Sequence, residues 1–144
     1  MRRKIIPIVI FLFFYVAPSA LAANFSDVPD TYKYLKAIQT LKDAGIISGY
    51  GNDTFKPDKE ISRAETAAII LKAAGITTQK TNVKLPFSDV PEDAWFFPMI
   101  QKGFSLGKLK GYADKTFQPK ASITLPETIA ITLSFFDIPT KKIP

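Results

Sequence analysis

Residues Gly49–Glu65 read GYGNDTFKPDKEISRAE, and their pattern decides the fold. A turn rich in Gly, Asn and Asp leads into Phe55, and Pro57 stiffens the chain just beyond it. Ser62 and Glu65 then stand in the S-x-x-E spacing of a capping box, in which the hydroxyl serves the N3 amide and the carboxylate reaches back to the N-cap amide. The apolar run Ala67-Ala68-Ile69-Ile70-Leu71 follows directly. A turn, an aromatic anchor and a signposted helix start are therefore packed into one short stretch.

The stretch occurs twice. Gly111–Glu127 reads GYADKTFQPKASITLPE, and sliding the chain by 62 residues sets Phe25 on Phe87, Gly45 on Gly107, Phe55 on Phe117, Pro57 on Pro119 and Ile76 on Ile138 without a gap. Over 25–76 and 87–138 the two copies agree at 20 of 52 positions. Such a period marks one structural unit used twice.

Each unit reads as turn, helix, turn, helix, which makes the fold class all-α. Phe25-Ser26-Asp27-Val28-Pro29 is an extended or turn lead-in, with Asp27 and its counterpart Asp89 expected to cap it. Tyr34, Ala37, Ile38, Leu41 and Ala44 form one helical stripe, and Gly45 is placed to end that helix in a left-handed conformation. In the second unit Pro98 interrupts the equivalent helix, so a separate short turn is expected over 93–97 and the helix proper from near Pro98. The second helices begin at Ser62 and at Thr124, where Thr124-x-x-Glu127 repeats the capping box and Pro126 falls in a tolerated first-turn position. Their sequences are apolar nearly all round, which predicts that both are central and the first helices peripheral. The expected boundaries are units at 23–76 and 87–138, a polar linker over 77–86 and a basic tail over 139–144.

Arg2-Arg3-Lys4, the apolar run from Ile5 to Ala17 and Ala20-Leu21-Ala22 form a secretory signal peptide with predicted cleavage after Ala22, so no membrane segment is expected after processing. A membrane anchor is the competing reading, and Pro7 and Pro18 weigh against it. Removal of 1–22 leaves 16 Lys+Arg against 13 Asp+Glu, a net charge of +3, too mild a balance in an exported chain to suggest nucleic acid. With no Cys and no His, disulfides, thiol chemistry and the commonest general base are all missing, and no catalytic residues or cofactor are expected. Asn52, Asp53, Asp58 and Glu60 miss the alternating ligand spacing of a calcium loop, so no metal is expected either.

Two tandem units of the form F-S-D-V-P … G-Y-x-x-x-T-F-x-P … I-[ST]-x-x-E behind a signal peptide resemble the S-layer homology (SLH) family across nearly all of the processed chain. The resemblance implies helix-loop-helix units packed as part of a pseudo-threefold bundle. It also implies non-covalent anchoring at the bacterial cell wall, through a secondary cell-wall polysaccharide that is acidic and often pyruvylated. The family's Thr-Arg-Ala-Glu, whose Arg contacts the acidic sugar, is matched by Ser62-Arg63-Ala64-Glu65, whereas the second unit has Thr124-Leu125-Pro126-Glu127. The family's aromatic early in helix one is matched by Trp95, whereas the first unit has Lys33 there.

The chemistry of these positions agrees with such a role. A helix N-terminus attracts anions, and an Arg there adds a planar fork for a carboxylate, so Arg63 is a candidate receptor. The alternative is a surface pair with Glu60 or Glu65. Trp95 offers a face for stacking on a sugar ring, or else packs beside Phe96 and Phe97. Gly49-Tyr50 and Gly111-Tyr112 either line a groove or serve only as turns, and Ser62 and Glu65 belong to the same candidate site. Two readings result: a wall-binding module for an acidic glycan, or an assembly module of the envelope that has lost glycan binding. Because the family bundle uses three units and two are present here, an exposed apolar face and self-association, or pairing with another SLH-bearing chain, are expected.

Overall fold

A computed structural model describes residues 25–79 and 81–138. The expected signal peptide, its cleavage site and the basic tail lie outside them. Four helices are formed among the described residues, α1 Leu35–Asp43, α2 Arg63–Ala73, α3 Phe97–Ser105 and α4 Leu125–Phe135, and β-pairing there is limited to isolated bridges. Each unit is a helix, a loop and a second helix.

Both capping boxes form. In α2 the Ser62 hydroxyl accepts from the Glu65 amide at 3.3 Å, and the Glu65 carboxylate accepts from the Ser62 amide at 2.8 Å. In α4 the corresponding bonds between Thr124 and Glu127 are 3.4 and 3.0 Å. Pro98 lies in the first turn of α3, which begins at Phe97 after a run of turns, as its chemistry requires.

The Phe-x-Pro loops are held from a distance. Asp27 accepts hydrogen bonds from the Phe55 and Lys56 amides, both 2.7 Å, and Asp89 accepts from those of Phe117 and Gln118, both 2.8 Å. These aspartates do not cap their own turn but clamp the loop 28 residues on. The clamp accounts for Lys56 and Gln118 holding φ of 57°, a region that non-glycine residues seldom occupy. Gly49 and Gly111 complete each loop, because a Cβ there would lie 2.2 Å from the Phe25 ring and 2.3 Å from the Phe87 ring.

The units differ in burial. The main core joins Ala64, Ala67, Ile70 and Leu71 of α2 to Phe87, Phe96, Ile100, Leu109 and Phe117 and to Ile131 and Phe135 of α4. A smaller core of Phe25, Val28, Ile38 and Ile47, with Phe55 and Ile69 against it, holds α1 to its own loop. The central helix is α2, packed against α3 and α4.

Two expectations need correction. The stripe read for α1 is only partly inward: Ile38 is buried, but Tyr34, Ala37 and Ala44 are exposed, because Tyr32 and Leu35 take the inner positions at the helix start. Nor is α4 central, since only Ile131 and Phe135 are buried, and Leu125, Ile129 and Phe136 face outward. Among the described residues nothing covers that apolar side.

Candidate functional site

The units meet through backbone. The Arg63 amide donates to the Ala121 carbonyl at 2.9 Å, the Ala64 amide to the Pro119 carbonyl at 3.0 Å, and the Ile123 amide to the Ile61 carbonyl at 3.1 Å. These bonds seat the N-terminus of α2 on the loop of the second unit. They also carry the Arg63 side chain inward, to 8% exposure.

There the guanidinium donates to the Lys110 carbonyl at 2.9 Å and to Glu127 at 3.4 Å, and it lies over the rings of Tyr112 and Phe117 at 5.1 and 4.9 Å. Arg63 thus pairs with neither Glu60 nor Glu65, but with the opposite unit. Its Nε, and the Thr66 hydroxyl one turn on, are buried without a partner.

Each unit carries a groove between its Gly-Tyr turn and its second helix. The second-unit groove, about 390 Å³, is lined by Arg63, Lys108, Lys110, Gly111, Tyr112 and Glu127, and by the α4 surface from Ala130 to Ser134. The first-unit groove, about 450 Å³, is built from the equivalent positions, including Ile46, Ser48, Gly49, Tyr50, Glu65 and Ile69. Its cation comes from within: Lys59 lies 4.1 Å from the Tyr50 ring centroid and 3.3 Å from Glu65, the same two partners that Arg63 has in the other groove. Hydroxyl and carboxylate join in both units, Tyr50 donating to Glu65 at 2.9 Å and Tyr112 to Glu127.

These contacts set the charge states. Burial works to raise the Glu65 carboxyl, but hydrogen bonds from the Ser62 hydroxyl and amide, Tyr50 and Lys59 outweigh it and bring it down to about 2. The Tyr112 hydroxyl, then the Thr124 amide and hydroxyl, bring Glu127 down to about 2, with Arg63 adding its charge. Both carboxylates stay ionised and hold their cations at neutral pH.

Trp95 stands apart from Arg63. It lines the rim of the first-unit groove and, with Lys59, Ser62, Glu65 and Lys120, a shallower cleft beside it. Its indole is 57% exposed and touches Phe96 edge-on with centroids 5.4 Å apart, so it is not packed away. The two hallmarks therefore line different grooves.

A model of the S-layer homology domain matches residues 24–67 and 86–127. The chain belongs to the S-layer homology family. It is 36% identical over 111 residues to the cellulosome-anchoring protein of Acetivibrio thermocellus, covering 75% of this chain and 25% of that protein. It is 34% identical over 124 residues to the surface-layer 125 kDa protein of Lysinibacillus sphaericus, covering 85% of this chain and 10% of that protein. An exoglucanase of Acetivibrio thermocellus shares 29% over 119 residues, 83% of this chain and 11% of the enzyme. This SLH chain spans a quarter or less of the length of these curated relatives. Among its described residues no helix is long and apolar enough to cross a membrane, and no acidic cluster suited to a metal ion occurs.

Sequence reasoning missed three groove residues. Lys108 and Lys110 stand where the first unit has Ile46 and Ser48, and Lys59 stands where the second has Ala121. Scanning the two copies for charge gained, as well as for the Arg lost at Leu125, finds all three.

Proposed function

We propose that this SLH chain is exported and held non-covalently at the bacterial cell wall, where it binds an acidic secondary wall polysaccharide without catalysing a reaction on it. The observation that carries the proposal is the exposed Trp95 at the rim of a groove bordered by Lys56, Lys59 and Lys72. A solvent-facing indole beside lysine cations suits a sugar that is apolar on one ring face and anionic at a substituent. The second-unit groove is the companion subsite for an acidic substituent such as a pyruvyl carboxylate. Lys108 and Lys110 rim it, and Arg63 supplies fixed positive charge in its wall. Ser62, Glu65, Tyr50 and Tyr112, together with Gly49 and Gly111, act mainly by shaping the two grooves.

The names of the relatives support this reading, since they include an anchoring protein and a surface-layer protein. Retention on purified sacculi tests it, before and after chemical removal of the acidic polysaccharide. Retention should be lost on stripped walls and weakened by Trp95→Ala and by Lys110→Gln. Equal retention on stripped walls contradicts glycan binding and leaves the assembly reading.

A further inference from the structure

The outward face of α4 is a half-interface whose other half is present on the same chain. Leu125, Ile129, Thr132 and Phe136 fall at i, i+4, i+7 and i+11, one stripe of the helix. Subtracting 62 turns them into Arg63, Ala67, Ile70 and Ala74 of α2. In α2 that stripe is the docking face: Arg63, Ala67 and Ile70 are buried, and Ala74 packs against the same core as Phe117 and Ile131 of the second unit. In α4 it is open, with Leu125 72%, Ile129 47% and Phe136 46% exposed. The chain thus covers this face once and leaves it bare once.

The receiving side is likewise open on the first unit. Phe117 and Ile131, which meet α2, are buried, while their counterparts Phe55 and Ile69 are half-buried and line the first-unit groove together with Ile46 and Ile61. The groove also matches its guest in charge. Lys59 already lies over Tyr50 and against Glu65 as Arg63 lies over Tyr112 and against Glu127, so a second arginine would meet a like charge. Leu125 is neutral, and the counterpart of the Phe117 ring that Arg63 covers is the half-buried Phe55. The Leu125 and Ile61 amides make no backbone hydrogen bond among the described residues, as the edges of such a junction require.

We propose that copies of this chain associate head to tail, the α4 stripe of one seated in the first-unit groove of the next, repeating the junction that joins the two units within a chain. One bond of that junction cannot be copied. The Ala64 amide donates to Pro119, and the equivalent Pro126 has no N–H to give to Pro57. The contact between chains is therefore weaker than the one within. A contact of this kind joins two different surfaces, so it propagates from chain to chain unless its rotation closes a ring. The second-unit subsite stays accessible, because the internal junction leaves that groove open beside Arg63, whereas the guest helix shares the first-unit groove with a glycan at Trp95.

Sedimentation velocity of the processed, secreted chain tests the proposal with two surface variants, Leu125→Glu and Ile61→Glu, whose folding is checked by circular dichroism. The unaltered chain should form dimers or larger species at micromolar concentration. Each variant alone should be monomeric, and an equimolar mixture should recover a dimer, since one intact α4 face meets one intact groove. An unaltered chain that stays monomeric overturns the proposal. So does a Leu125→Glu chain that still associates, or a mixture of the two variants that does not pair. Glycan binding is read separately on Leu125→Glu alone, which leaves Trp95, the first-unit groove and the Lys108–Lys110 rim as they are, whereas Ile61 lines the first-unit groove.

Discussion

Truncating Arg63 to Ala removes a buried cation that bridges the Lys110 carbonyl and Glu127 across the junction, so its first effect falls on stability. A loss of about 2 kcal/mol is expected from the hydrogen bonds of a charged donor, read as a shift in the denaturant midpoint. The variant therefore cannot separate glycan binding from folding, and Lys110→Gln on the groove rim is the cleaner probe. Gly49 and Gly45 give a second comparison. Both hold positive φ, 69° and 68°, but a Cβ at Gly45 meets open space while one at Gly49 collides with Phe25 and the Thr54 carbonyl. Gly45→Ala should cost about 1 kcal/mol from backbone strain alone, and Gly49→Ala about 1–3 kcal/mol more from overpacking. Equal losses in thermal or chemical unfolding contradict the close approach.

At the scale of the element, the two second helices begin with the same capping box, and each box depends on a carboxylate held near 2. A carboxyl whose folded value lies below its unfolded value contributes stability that is complete above the unfolded value and is lost as pH falls toward the folded one. For Glu65 and Glu127 that window runs from about 4.5 down to about 2. Unfolding followed by helical circular dichroism should weaken steadily through it, and the Glu65→Gln chain should start less stable with a shallower slope. An unchanged slope contradicts the role given to the cap. Caps and helix starts are legible in the sequence because they depend on residues within one turn of each other. The inner face of α1 is less so, since Tyr32 and Leu35 displace Tyr34 through contacts with a loop some 20 residues away in sequence.

At the scale of the whole molecule, the two described units share one junction, and α4 leaves its outer stripe bare among the described residues. That the second helices would be alike in burial follows from their composition and fails in the structure, because α2 has a neighbour on the stripe that α4 leaves bare. Pattern within a helix records how apolar a face is and carries no information on which unit covers it. The same limit applies to the candidate site. Arg63 and Trp95 were legible as residues through the resemblance to the SLH family, but their separation into different grooves depends on which unit contributes each wall. Lys59, in the first groove, replaces a cation that the second groove draws from the neighbouring unit. Each groove is therefore charged by its own route, and both face the solvent from which a wall polymer would approach.

Trp95 is the only tryptophan in the chain, so intrinsic tryptophan fluorescence observes this rim and nothing else. Titration with purified acidic wall polysaccharide should give a saturable change in emission, weakened by salt and absent when the acidic substituents have been removed. An emission spectrum unmoved by the intact polysaccharide, or moved equally by the stripped one, would contradict recognition of an acidic wall glycan at Trp95.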